Sequence, residues 1–213
     1  MTYRLPLFDH RVLDLTDGHA GYAGRILGDM GAEVIKVEPT GGDSLRGSDA
    51  FDAANVNKYS CALNVASHPD IVARLAEISD VSISNTGAID AASLRASNET
   101  LIVVEIPPGA GPVSCTAAAG AVGLALWDRR RTGKGGVIRV AALDTGPRIA
   151  EVPSPAVEEV SSLGGDRKVP ASPMHLSETP LHIRLPAPAL GEHNAYVFRH
   201  LLGLSQDEIA ALS

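Results

Sequence analysis

Short apolar runs alternate with stretches of helix-like spacing through the first half of the chain, the pattern of βαβ units that feed a parallel sheet. "RVLDLT", at 11–16, reads as a first strand, residues 22–30 as a helix stopped by Gly31, and "EVIKVEP" as a second strand ended by Pro39. One helix separates these two strands, so a right-handed parallel crossover is expected. After a polar loop at 40–57, "YSCALNV" supplies a third strand and "HPDIVARLAEISD" a helix with Pro69 in its first turn. "DVSIS" and "TLIVVEI" are two further strands around a short helix near 90–96. Residues 114–131 form a small-residue helix stopped at "TGKGG", and "GVIRVAAL" closes the regular region.

From about residue 146 the pattern is lost. Eight of the 14 prolines fall between Pro147 and Pro188, in a segment with no sustained period of either kind. It reads as an extended arm or linker that is ordered only by lying on something else. "GEHNAYVFRHLLGLSQDEIAALS" regains helical spacing: Tyr196, Val197, Leu201 and Leu202 share a face, Gly203 breaks it, and Ser205 starts a second short helix with Glu208 in capping-box position. The organisation expected is an α/β sheet domain over 1–146, a Pro-rich arm over 147–188 and C-terminal helices over 189–213.

Composition narrows the function classes. A chain of 213 residues that is 45% hydrophobic has enough material for one medium domain. The net charge is -7 and the only dense basic cluster is "RRRTGKG", so no nucleic-acid partner is expected. Cys61 and Cys115 lie in apolar or small-residue segments, which suits buried thiols in a reducing, cytoplasmic setting. No basic-then-apolar leader opens the sequence, and the apolar stretch around 117–127 is too short for a membrane span.

The turn after the first strand, "LDLTDGHAGY", invites a dinucleotide-fold reading. Its glycines at 18, 21 and 24 are evenly spaced, which is not G-x-G-x-x-G, and they serve equally as small residues that bring a helix close to its strand. His19 sits where strand ends and a helix start meet, the place where open α/β sheets gather ligands, and Asp17 is placed to orient it. Lys58, entering the third strand, is a candidate cation for a phosphate. His193 and His200 lack a third ligand nearby in sequence, so no metal site is expected, and no G-x-S-x-G elbow is present.

Read together, "RVLDLTDGHAGYAGRILGDMGAEVIKVEPTGGDSLR", "NVNKYSCALNV", "AAAGAVGLALWDRRRTGKGGVIRVAALD" and "PAPALGEHNAYVFRHLLGLSQDEIAAL" resemble, in order, four landmarks of the family III CoA-transferases. This is the CaiB/BaiF-like group that includes formyl-CoA transferase and α-methylacyl-CoA racemase. The resemblance implies a Rossmann-like parallel sheet with helices on both faces, and C-terminal helices that return to the same domain. It also implies coenzyme A or an acyl-CoA as ligand with no other cofactor, and an interlocked homodimer or a hetero-oligomer with a longer relative. By matching, the turn from Asp17 to Ala20, with Gly18 and Ala20 in it, and Lys58 and Asn85 are carried over to CoA contact, and His19 matches the turn residue that faces the acyl end; Asp17 and His19 are the candidate catalytic pair.

The departures are as informative. The family's catalytic Asp follows the strand matching "LIVVEI", and "PPGAGPVSCTAAAG" holds no Asp. The family's small domain is replaced by the Pro-rich stretch, and its N-F-R-P-G segment is reduced to "SNTG". Removing a covalent nucleophile costs orders of magnitude in rate. Three readings therefore stand: a shortened family member acting on or binding a thioester, without ordinary CoA transfer by this chain alone; a non-catalytic CoA-binding or scaffold subunit; or a fold turned to other acid–base chemistry at Asp17 and His19.

Overall fold

The computed structural model describes residues 4–141, 157–162, 165–172, 174 and 176–212. Six strands form one parallel sheet: β1 (Arg11–Leu15), β2 (Glu33–Glu38), β3 (Lys58–Ala62), β4 (Val81–Ser84), β5 (Ile102–Glu105) and β6 (Gly136–Arg139), in the order β3-β2-β1-β4-β5-β6. Between them run α1 (Gly21–Asp29), α2 (Asp49–Asn55), α3 (Pro69–Glu77), α4 (Ala91–Ser97) and α5 (Pro112–Thr132).

The alternation of strand side chains sorts the core onto two faces. Val12, Val34, Val81, Ile83 and Val104 pack with Ala23 and Leu27 of α1 and with Ala118, Val122 and Leu126 of α5. Leu13, Ile35, Val37, Cys61 and Val103 face the other way, onto Val72 and Leu75 of α3 and Leu94 of α4. With both faces covered, β1 to β4 are buried along most of their length, and the burial takes in polar side chains, Asp14, Lys36, Glu38, Lys58 and Ser60, as well as apolar ones.

Local chemistry fixes the ends. Asp90 caps α4 through Ala92 N–H at 2.7 Å and Ser93 N–H at 3.2 Å. "TGKGG" ends one helix and enters a strand: Gly133, at φ +69°, closes α5 by donating to the Arg129 carbonyl, and a Cβ on Gly135 would stand 2.2 Å from the Leu101 carbonyl oxygen. Within the polar stretch 40–57 the structure has a helix, α2, that the hydrophobic pattern does not show. It is only seven residues long, and its signal is the single cap Ser48, which accepts from Phe51 N–H at 3.2 Å.

The Pro-rich stretch also holds regular structure. Its first residues, 147–156, lie outside the described residues, but an antiparallel hairpin follows, β7 (Val157–Ser162) with β8 (Gly165–Pro170). Its order comes from tertiary polar contacts rather than hydrophobic period: Arg25 donates to the Pro170 carbonyl at 2.6 Å, and Arg167 meets Asp52 at 3.1 Å.

The chain then returns along β3. Asn57 N–H donates to the Leu185 carbonyl, Ser60 N–H to His193 Nδ1 at 3.2 Å and Ala62 N–H to Asn194 Oδ1 at 2.9 Å, so the tail occupies the open side of an edge strand. A π-helical turn (Ala195–Leu201) buries Val197 and Phe198 against the α3 face, and α6 (Gln206–Ala210) starts at Ser205 with the expected capping box. Among the described residues no helix is long and apolar enough to cross a membrane.

Candidate functional site

The strand order reverses between β1 and β4. Chain leaves their C-terminal ends in opposite directions, and a crevice opens there, as it does in other doubly wound sheets. The two sides are tied across it: Asp17 N–H donates to Asn85 Oδ1 at 2.8 Å and Asn85 Nδ2 donates back to the Asp17 carbonyl at 2.9 Å. Gly18 turns the chain at φ +67°, a left-handed conformation that other residues rarely adopt.

A cavity of about 370 Å³ lies in this crevice. β1 contributes Leu15, with Thr16 and Asp17 just beyond it; β2 contributes Val37, followed by Pro39, Gly42 and Ser44; Leu63, Asn64 and Val65 follow β3; Ser84 ends β4, with Thr86, Ala88 and Ile89 after it. The walls are mainly apolar with a few hydroxyls and amides, the usual make-up of a small-molecule site. Among the described lining residues Asp17 is the one that carries a charge.

Beneath the floor is a network of buried charges. Lys58 Nζ donates to Asp14 Oδ2 at 2.7 Å, to the Gly21 carbonyl at 2.7 Å and to Asn55 Oδ1 at 2.9 Å. Lys36 donates to the Thr16 carbonyl at 3.0 Å and pairs with Asp43 Oδ2 at 2.8 Å. Glu38 accepts from Arg46 through both oxygens, at 2.6 and 2.7 Å, and from Ser60 Oγ at 2.6 Å. Arg46 also reaches the Pro188 carbonyl at 3.1 Å, so the returning tail braces the cavity loop.

Burial alone would raise the Asp14 carboxyl, but the Lys58 and Lys36 charges outweigh it and hold the group below the usual carboxylate range. Burial, helped by Lys36, pulls Lys58 down to about 8 against the attraction of Asp14. Lys36 is raised: its burial is outweighed by Asp14 and Asp43. The glycines explain themselves here, since a Cβ on Gly24 would stand 2.4 Å from Asp14 Oδ2 and one on Gly21 would stand 3.3 Å from Asn55 Oδ1. Their even spacing makes room for an ion pair under a helix.

The structure places each of the expected site residues. Lys58 is fully buried with its three hydrogens committed to protein acceptors, so it is not a free cation for a phosphate. Asp17 Oδ1 accepts from Ser44 N–H at 2.8 Å, and among the described residues no hydrogen bond joins it to His19. His19 is exposed and lies outside the cavity lining. Gly18 and Ala20 are buried backbone positions, and Asn85 uses its amide to clamp Asp17.

Asp17 alone of the expected set lines the cavity. Sequence reasoning missed Asp43, Glu38, Arg46 and Lys36; the available signal was "KVEPTGGDSLR", a dense charge pattern on a glycine loop directly after a strand. No group of three or more His, Cys, Asp or Glu side chains placed to hold a metal occurs among the described residues.

Residues 7–108 match CoA-transferase family III. Succinyl-CoA:glutarate CoA-transferase of Mus musculus is 44% identical over 93 aligned residues, 38% of this chain and 21% of that protein. Succinyl-CoA:mesaconate CoA-transferase of Haloarcula marismortui is 39% identical over 95 residues, 37% of this chain and 24% of that one. The matched part thus spans less than a quarter of the length of either relative.

Two crystal structures share the fold. Rv3272 from M. tuberculosis, in its orthorhombic form, aligns with a TM-score of 0.75 at 20% identity over 90% of this chain and 98% of that one. A CAIB/BAIF family protein from Brucella suis aligns with a TM-score of 0.76 at 17% identity over 93% and 100%. The region that builds β1 to β5 and lines the crevice, residues 7–108, is thus the part of the chain that matches CoA-transferase family III.

Proposed function

We propose that this chain binds coenzyme A or an acyl-CoA in the crevice between β1 and β4 and does not carry out CoA transfer by itself. The observation that carries the reading is the cavity of about 370 Å³ at the switch point of a family III region, combined with its poverty in reactive groups. Residues 107–111, which follow β5, hold no carboxylate. Asp17, the charged residue lining the cavity, is held by Ser44 N–H, and among the described residues no hydrogen bond joins it to a base.

Calorimetric titration with CoA and acetyl-CoA tests this: a Kd of about 100 μM or tighter, on the order of -5 kcal/mol, is expected. Asn85→Ala, which unties Asp17, should weaken it about tenfold, the scale of one lost net hydrogen bond. Purified chain supplied with succinyl-CoA and a dicarboxylate should show no transfer. Transfer that collapses in His19→Ala would instead establish a rebuilt catalytic site.

A second copy of this chain completes the reading. Val113, Ala117, Gly120, Leu124 and Trp127 recur along α5 at four- and three-residue steps, the spacing of a helix–helix seam. Leu124 is 72% and Trp127 61% exposed. Antiparallel pairing would hold the exposed Arg130 and Arg131 of the two copies at opposite ends, where they do not repel.

A further inference from the structure

The crevice is negative where a crevice of this topology is ordinarily positive. In a sheet of this order the backbone N–H groups that open the first helix attract a phosphate. The turn that leads into that helix is already engaged from within at Gly18. Asp43 Oδ2 accepts from Gly18 N–H at 3.1 Å, Asp43 Oδ1 accepts from Leu45 N–H at 2.9 Å, and Lys36 neutralises the carboxylate at 2.8 Å.

The other cations nearby are also committed. Arg46 spans both oxygens of Glu38 and Lys58 is locked on Asp14. Of the four carboxylates around the floor, Asp14, Glu38 and Asp43 each have a cation, whereas Asp17, among the described residues, has none. Asp17 Oδ1 holds Ser44 N–H, and among the described residues no hydrogen bond engages its other oxygen. The remaining wall offers apolar faces from Val37, Leu63 and Ile89, with the neutral polar groups of Asn64 and Thr86.

Such a lining suits a flat, uncharged, hydroxyl-bearing group and repels an anion in a site partly withdrawn from water. Resting on the reading of this cavity as the seat of a CoA-type ligand, we propose that Asp17 is a specificity-determining residue: it makes the cavity select an uncharged nucleoside end and reject one that carries a phosphate on its ribose. The ligand class preferred is the nucleoside or dephospho form over the 3′-phosphorylated form. A free ribose hydroxyl would donate to the unengaged Asp17 oxygen, a contact that a phosphate replaces with repulsion.

The experiment is a set of titrations of the full chain with adenosine, 3′-AMP, dephospho-CoA and CoA. Wild type should bind adenosine over 3′-AMP, and dephospho-CoA over CoA, by about tenfold or more at low salt, with the gap narrowing as salt is added. Asp17→Asn keeps the oxygen that Ser44 N–H needs and should bring each pair to within about threefold. Thr86→Lys, on the opposite wall, should reverse the preference.

Equal or tighter binding of the phosphorylated member in wild type, or an unchanged ratio in Asp17→Asn, overturns the proposal while leaving CoA binding intact. Binding of CoA without any binding of adenosine overturns it as well. If neither CoA nor dephospho-CoA binds, the reading on which it rests falls, and the proposal falls with it.

Discussion

Lys58, fully buried, ties the start of β3 to β1 and to the first turn of α1 through Asp14 and the Gly21 carbonyl. In sequence it is a cation entering a strand; in the fold it is a pillar, with Asp14 below it and Gly21 and Gly24 shaped around it. Lys58→Met leaves Asp14 buried without its cation and should cost about 3–5 kcal/mol in urea unfolding, part of which Asp14→Asn in the same chain should restore. A pH signature accompanies this. The folded pKa of about 8 lies below the ordinary 10.5, so between these values the unfolded chain keeps a proton that the folded chain has released. The Lys58 contribution to stability therefore rises with pH across that window, and a plot of unfolding free energy against pH should lose this rise in Lys58→Met. Gly24→Ala drives a methyl into Asp14 Oδ2 and should destabilise by about 1–3 kcal/mol, read as a lowered Tm.

Among the elements, the tail makes the sharpest prediction. His193 accepts a hydrogen bond from Ser60 N–H through Nδ1, which only a neutral imidazole can do, and burial keeps its pKa below 6.5 although Glu192 pulls it up. A lowered folded pKa contributes stability above 6.5 that is lost as pH falls through the folded value. Amide exchange at Ser60, corrected for its intrinsic rate, should lose protection on acidification in wild type, and should show no such pH step in His193→Ala. The strands and long helices were legible because each carries its own period: β1, β2, α1, α3 and α5 fall within about three residues of where apolar spacing puts them. α2 and the β7–β8 hairpin were not legible. Seven residues behind a serine cap, and a hairpin held by Arg25 and Asp52, are ordered by partners distant in sequence, which no local pattern encodes. The candidate site divides in the same way. The turn at 17–20 announced itself by position, but the pairing of Lys36 with Asp43 and of Arg46 with Glu38 depends on how one loop folds over one strand end.

On the scale of the molecule, the exposed seam of α5 predicts association. Native mass spectrometry should show a dimer, and Leu124→Glu with Trp127→Glu should shift it to monomer without loss of helicity; a monomeric wild type would rule the α5 pairing out. The joining of tail and sheet has a consequence for biosynthesis. β3 lies at the margin of the sheet and is made within the first third of the chain, yet the groups that satisfy its outer amides, at Leu185, His193 and Asn194, are among the last thirty residues. A nascent chain on the ribosome must therefore carry an uncapped strand until residue 194 has emerged, and during that interval the strand is open to pairing with its neighbours on a polysome. Slow translation upstream of the tail would prolong the exposure, and a chaperone that shields β-edges would be needed most before those residues appear.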